Sequence, residues 1–62
     1  MDIKTIRLSL NLSQAMVAHE AGISQNHYSN IESNRRRPSP QVAQRIASVL
    51  GFQDTWYKLL EQ

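Results

Sequence analysis

Apolar positions recur along this chain at intervals of three and four residues, and nowhere do they alternate with polar ones over a strand's length. The pattern predicts an all-α fold of five short helices. The first runs from an N-cap at Asp2 to about Leu10, with Ile3, Ile6, Arg7 and Leu10 on one side. Asn11 is placed to end it, because asparagine tolerates the left-handed backbone that closes many helices. Ser13 caps a second helix, 14–21, whose Val17, Ala18 and Ala21 share a face. Gly22 then makes a tight turn, and Ser24 caps a third helix running from Gln25 to about Ser33. The stretch NRRRPSP is a loop, since Pro38 and Pro40 each disfavour helix in the residue before them. Ser39 followed by Pro40 starts the next helix with a capping hydroxyl and a proline at the first helical position. Val42, Ala43, Ile46, Ala47, Val49 and Leu50 fill one half of its wheel, and Gly51 stops it. A last helix begins near Asp54, with Trp56, Leu59 and Leu60 at i, i+3 and i+4.

The third helix departs from the pattern of the others. Its apolar residues are Tyr28 and Ile31, while Gln25, Asn26, Ser29, Asn30 and Ser33 gather on the opposite arc. Neutral hydrogen-bonding side chains concentrated on one face suit a helix that meets the base edges of DNA. Charge placement strengthens this reading. The net charge is only +2, but Arg35, Arg36, Arg37 and Arg45 follow Glu32 with no acid until Asp54. An isolated arginine run would read as a solvated loop; next to a polar helix it is placed for phosphates, whose neutralisation supplies most sequence-independent affinity.

A chain of 62 residues forms one domain, residues 1–62, and a domain of this size buries only about 60% of its unfolded surface. The absence of cysteine removes disulfides and thiolate metal sites and fits a reducing cytoplasm. No apolar run reaches the roughly 20 residues of a bilayer span, and no signal-peptide core is present. A soluble, cytoplasmic protein is expected. His19 and His27 lie eight apart without a third ligand, so no metal is expected. Enzyme chemistry finds no cysteine nucleophile, metal cluster, acid pair or glycine-rich phosphate loop, and no cofactor is implied.

The residues Leu12-Ser13-Gln14, Val17-Ala18, Ala21-Gly22-Ile23-Ser24, Tyr28 and Ile31-Glu32 stand in register with Arg37-Pro38-Ser39, Ile46-Ala47 and Leu50-Gly51. In that register and with those gaps, nearly the whole chain resembles the lambda-repressor/Cro-like (Xre-type) helix-turn-helix family. The resemblance implies that the third helix enters the major groove of double-stranded DNA. It makes Gln25, Asn26, Ser29 and Asn30 candidates for base contacts, with Ser33 on the same face. Gln14, Ser24, Asn34, Arg35 and Arg36 become candidates for phosphate contacts. It further implies an ion pair between Arg7 and Glu32 as a strut between helices, and a small residue at Ala18 where two helices touch. Asn11 and Asn34 stand where the family has glycine, which puts the Asn34 backbone under some strain.

Several positions keep two readings. His27 flanks the polar face and caps, packs or touches the backbone. Tyr28 is expected in the core with its hydroxyl at the rim. Trp56 is expected to close the core against Ile3 and Ile6, whereas Tyr57 and Leu60 serve either that core or a homodimer on two half-sites. Leu8 and Met16 project off the core arcs. The function expected is a sequence-specific DNA-binding transcriptional regulator, a repressor of prophage or mobile-element type. The alternatives are an antitoxin or restriction-modification controller of the same fold, and a protein-interaction module that does not bind DNA.

Overall fold

The structure is a computed structural model that describes residues 2–61. Helices α1 (Ile3–Ser9), α2 (Gln14–Ala21), α3 (Gln25–Glu32) and α4 (Pro40–Leu50) are followed by a 3-10 segment, Gln53–Glu61, and no strand occurs among the described residues.

Each α-helix starts on a short polar side chain. Asp2 Oδ1 accepts from the backbone N–H groups of Lys4 and Thr5 at 3.1 and 3.3 Å. Ser13, Ser24 and Ser39 each accept from the N–H three residues on, at 3.1, 3.0 and 3.2 Å. Caps of this kind stabilise a helix by about 1 kcal/mol each, a useful increment for helices of 7 to 11 residues. The helices also end alike. Asn11, Gly22, Asn34 and Gly51 have φ of 59°, 74°, 63° and 87°. Behind each of them a backbone N–H reaches back five residues: Leu12 to Arg7, Ile23 to Ala18, Arg35 to Asn30 and Phe52 to Ala47. This closure satisfies carbonyls that the helix leaves open. At Gly22 a side chain would be doubly unwelcome, because a Cβ there would lie 3.2 Å from Arg45 Nη1 in addition to the left-handed strain.

The core joins Ile3, Val17, Ala18, Ala21, Tyr28, Ile31, Ala43, Ile46, Leu50 and Leu59. Helix α4 is its hub and packs against α2, α1 and the 3-10 segment, while α2 packs on α3. Ala18 is buried within this packing, as expected for a small residue where two helices touch.

Four expectations need correction. Helix α1 stops at Ser9, so Leu10 leaves the helical path as the C-cap and is 47% exposed instead of joining the core side. Helix α3 stops at Glu32, and Ser33 is its C-cap. The last helix is a 3-10 segment broken at Thr55 (φ −125°, ψ 27°), whose N–H and hydroxyl both donate to the Phe52 carbonyl. That break rotates Leu59 into the core at 0% exposure, while Trp56 and Leu60 are only partly buried beside it. The Tyr28 hydroxyl is not at the rim: it is fully buried and makes no hydrogen bond among the described residues.

Candidate nucleic-acid interface

Two apolar anchors, Tyr28 and Ile31, hold α3 against the core. Because they share one side, the opposite arc of the helix faces outward. Gln25 and Asn26 are exposed in its first turn, Ser29 and Asn30 are half-buried in the second, and Ser33 is exposed just beyond its end. The terminal 3-10 segment packs on α4. Gln25 and Asn26 therefore stand away from the core, on a helix whose His27 N–H is capped by the Ser24 side chain.

Among the phosphate candidates, Ser24 already accepts from His27 N–H, which leaves its own hydroxyl hydrogen to donate outward. Asn34, Arg35 and Arg36 are exposed, as is Arg37. The loop they form is not loose. The Asn30 carbonyl accepts from Arg35 N–H at 2.9 Å, from Arg36 N–H at 3.2 Å and from the Ser33 hydroxyl at 3.3 Å. The end of α3 thus sets the direction in which the arginines leave.

A comparison of the four helix ends adds weight to this loop. The residue after the left-handed position is Leu12, Ile23 and Phe52 at three of them, and all three pack against the core. An apolar residue there is the usual companion of this closure. At the end of α3 the same place holds Arg35, exposed. Local packing gains nothing from that choice, whereas a guanidinium beside an outward-facing polar helix is suited to an external anion.

Gln14 sits at the first position of α2, half-buried, and its Nε2 donates to Glu32 Oε1 at 3.0 Å. One of its two amide hydrogens is thereby used inside the domain. Glu32 is the centre of a larger arrangement. Arg7 Nε donates to Glu32 Oε2 at 2.6 Å, and Arg7 Nη1 donates to the Leu12 carbonyl at 2.8 Å. The side chains of Arg7 and Glu32 are 9% and 4% exposed, so the pair is withdrawn from water. Burial alone would raise the Glu32 carboxyl, but hydrogen bonds from Arg7 and Gln14, together with the charge of Arg7, outweigh it and hold it below the ordinary glutamate range. Burial first, and the adjacent Glu32 carboxylate second, push the Tyr28 phenol well up, so it stays protonated. The bond from Arg7 to Leu12 escaped the sequence reading, because nothing in a sequence marks which loop carbonyl a buried arginine will reach.

Two short helices packed across a left-handed glycine, the second presenting polar side chains outward, define a helix-turn-helix domain. The chain belongs to the lambda-repressor/Cro-like branch of that class: the family described as Helix-turn-helix matches residues 3–57. It is also similar to the immunity repressor protein of Bacillus phage phi105, with 35% identity over 51 residues. That alignment takes in 82% of this chain and 35% of the relative, so the chain spans about a third of the length of the protein it matches. No solved structure matches the chain. No helix among the described residues is long and apolar enough to cross a membrane.

Proposed function

We propose that residues 1–62 form a sequence-specific, double-stranded DNA-binding domain of a transcriptional regulator, a cytoplasmic repressor of prophage or mobile-element type. The observation that carries the reading is the outward stripe of Gln25, Asn26, Ser29 and Asn30, flanked by a braced loop of exposed arginines. Gln and Asn amides pair bidentately with adenine in the major groove. The likeness to a phage immunity repressor supports the repressor sense. No catalytic group or cofactor enters this reading.

The roles separate in a binding titration on an operator obtained by selection from random duplexes. Gln25→Ala relaxes discrimination at one base pair by about 1–3 kcal/mol and leaves the salt dependence alone. Arg36→Ala weakens binding to every sequence and lowers the slope of log affinity against log salt by about 0.9. A Gln25→Ala protein with unchanged affinity and preference would remove α3 from the groove.

Tyr57 is 48% exposed and Leu60 is half-buried beside Trp56, which favours pairing of two copies through the terminal segment. On DNA such a pair would set two reading helices about 34 Å apart. Sedimentation at micromolar protein with a two-half-site duplex then shows two chains per duplex; one chain on both half-site and full-site duplexes ends the dimer reading. An antitoxin or restriction controller would use the same face, and the genes adjoining this one distinguish them. An interaction module without DNA binding predicts no shift of any duplex.

A further inference from the structure

The outward side of α2 has an apolar centre. Ala15, Met16, His19 and Glu20 stand together there, opposite the buried Val17, Ala18 and Ala21. With Leu12 ahead of them and Val49 across from them on α4, they line an open groove of about 300 Å³. No residue of α3 or of the arginine loop contributes to it, so the groove is separate from the face read as meeting DNA. Met16 is 53% exposed, and Glu20 has no cation within 4.0 Å among the described residues. The terminal segment carries a matching piece. Tyr57 is 48% exposed, with exposed Lys58 next to it and exposed Asp54 three residues before it. That segment packs on α4, and Tyr57 does not line the groove of its own chain.

We propose that this groove receives Tyr57 of a second copy of the chain when two copies stand side by side on DNA. The inference rests on the DNA-bound pair proposed above and gives the terminal segment its counterpart surface. The phenol ring covers Leu12, Ala15 and Val49, while the flexible Met16 thioether adapts to the ring edge. The Tyr57 hydroxyl stays at the mouth of the groove, in water. Charge complements shape: Glu20 meets Lys58, and a ring N–H of His19 is available to the Asp54 carboxylate. Among the exposed large apolar side chains Leu8, Leu10, Met16 and Tyr57, Tyr57 alone is aromatic, and it comes flanked by the acid and the base that the groove can answer. The contact is small, and interfaces well below about 1,200 Å² are transient ones. It is therefore weak between free chains. On adjoining half-sites the duplex acts as a tether, the effective concentration reaches about the millimolar range, and a weak contact becomes cooperativity. Knob and groove are different surfaces, so the contact is heterologous, unlike a symmetric packing of two terminal segments on each other.

The test is binding to a duplex with two half-sites, with a single half-site as reference. In the wild type the second half-site should fill at least about 5-fold more tightly than the first. Tyr57→Ala, Met16→Glu and Glu20→Lys should each remove that gain and keep the single half-site affinity, since all three side chains are exposed. Adding Lys58→Glu to Glu20→Lys should restore it. An equimolar mixture of Tyr57→Ala and Met16→Glu should recover part of it, because the tyrosine of one protein fits the intact groove of the other. A mixture without recovery overturns the assignment. Loss in Tyr57→Ala alone would mean that the terminal segments pack on each other, and loss in Met16→Glu alone would give the groove a different occupant; either result also overturns it. If the wild type fills the two half-sites independently, the contact is wrong and the DNA reading stands. If no duplex is bound, the DNA reading falls and the Met16 methyl signal decides the contact by itself. It should move between micromolar and millimolar protein in the wild type and not in Tyr57→Ala; a signal that stays in place in both ends the proposal.

Discussion

Glu32→Gln should lower the free energy of unfolding by about 3–5 kcal/mol. The variant keeps the shape of the side chain and its capacity to accept from Gln14, but it leaves the Arg7 guanidinium buried with no negative partner. At 7% exposure for the whole residue, Arg7 has little water to fall back on. In a domain of this size 1 kcal/mol corresponds to about 4–8 °C in Tm, so a fall of about 12 °C or more is expected by thermal melting. Arg7→Met with Glu32→Leu should recover much of the loss, because a buried pair replaced as a whole by apolar side chains costs far less than one broken on a single side. An unmoved Tm in Glu32→Gln would show the pair to be ornamental.

The same carboxylate gives the domain a defined acid limb. Its folded-state pKa lies below the ordinary value of 4.5, so the pairing contributes stability that is fully present above pH 4.5. That contribution is lost as pH falls below 4.5 and through the folded-state value, where the proton neutralises Glu32 in both states. Wild type and Glu32→Gln should therefore differ most near neutrality and converge on acidification. Denaturant midpoints taken from about pH 7 down to about pH 3, through the ordinary carboxylate values of about 4, check the sign: a gap that widens towards low pH contradicts the assignment.

What was legible in the sequence was mostly local. Serine caps, left-handed turn residues and the apolar faces of α2, α3 and α4 are written in spacings of three to five residues, and the helices start where those signals stand. The terminal segment was legible only as apolar spacing. A helical wheel assumes 3.6 residues per turn throughout, and the break at Thr55 invalidates it. Leu59 instead of Trp56 then becomes the buried residue, though both belong to the same i, i+3 pattern. Leu10 fails for a related reason: α1 closes on it one residue earlier than the apolar spacing suggests, and its side chain lies in solvent.

The candidate site divides along the same line. Gln25 and Asn26 follow directly from their position after Ser24, because a capped helix with two apolar anchors has only one way to face. The bond from Gln14 to Glu32 was invisible, because the two stand 18 positions apart and meet only in the fold. The Tyr28 hydroxyl could not be anticipated either. Its burial depends on how deeply α3 sinks towards the Arg7–Glu32 pair, a tertiary quantity.

Leu59→Ala should cost about 2–5 kcal/mol, a substantial part of the stability of a small domain. The reasoning runs through the segment that carries it. A 3-10 stretch has poor hydrogen-bond geometry and rarely persists beyond a few residues unaided, so Gln53–Glu61 is held by what it buries and not by its own backbone. Leu59 is its one fully buried side chain among the described residues. It also lines a hollow of about 150 Å³ together with Asn34, Arg36, Arg37 and Pro38. Its removal should thus do two things at once: lower the urea midpoint, and loosen the floor beneath the arginine loop. The second effect is read under conditions where the variant is still folded, as a weaker DNA affinity that extends to every sequence. Tyr57→Ala, at a side chain 48% exposed in the same segment, is the control and should change stability by no more than about 0.5 kcal/mol. Equal losses from the two variants would mean that the segment only lies on the domain, and that α1 to α4 hold the arginine loop without it.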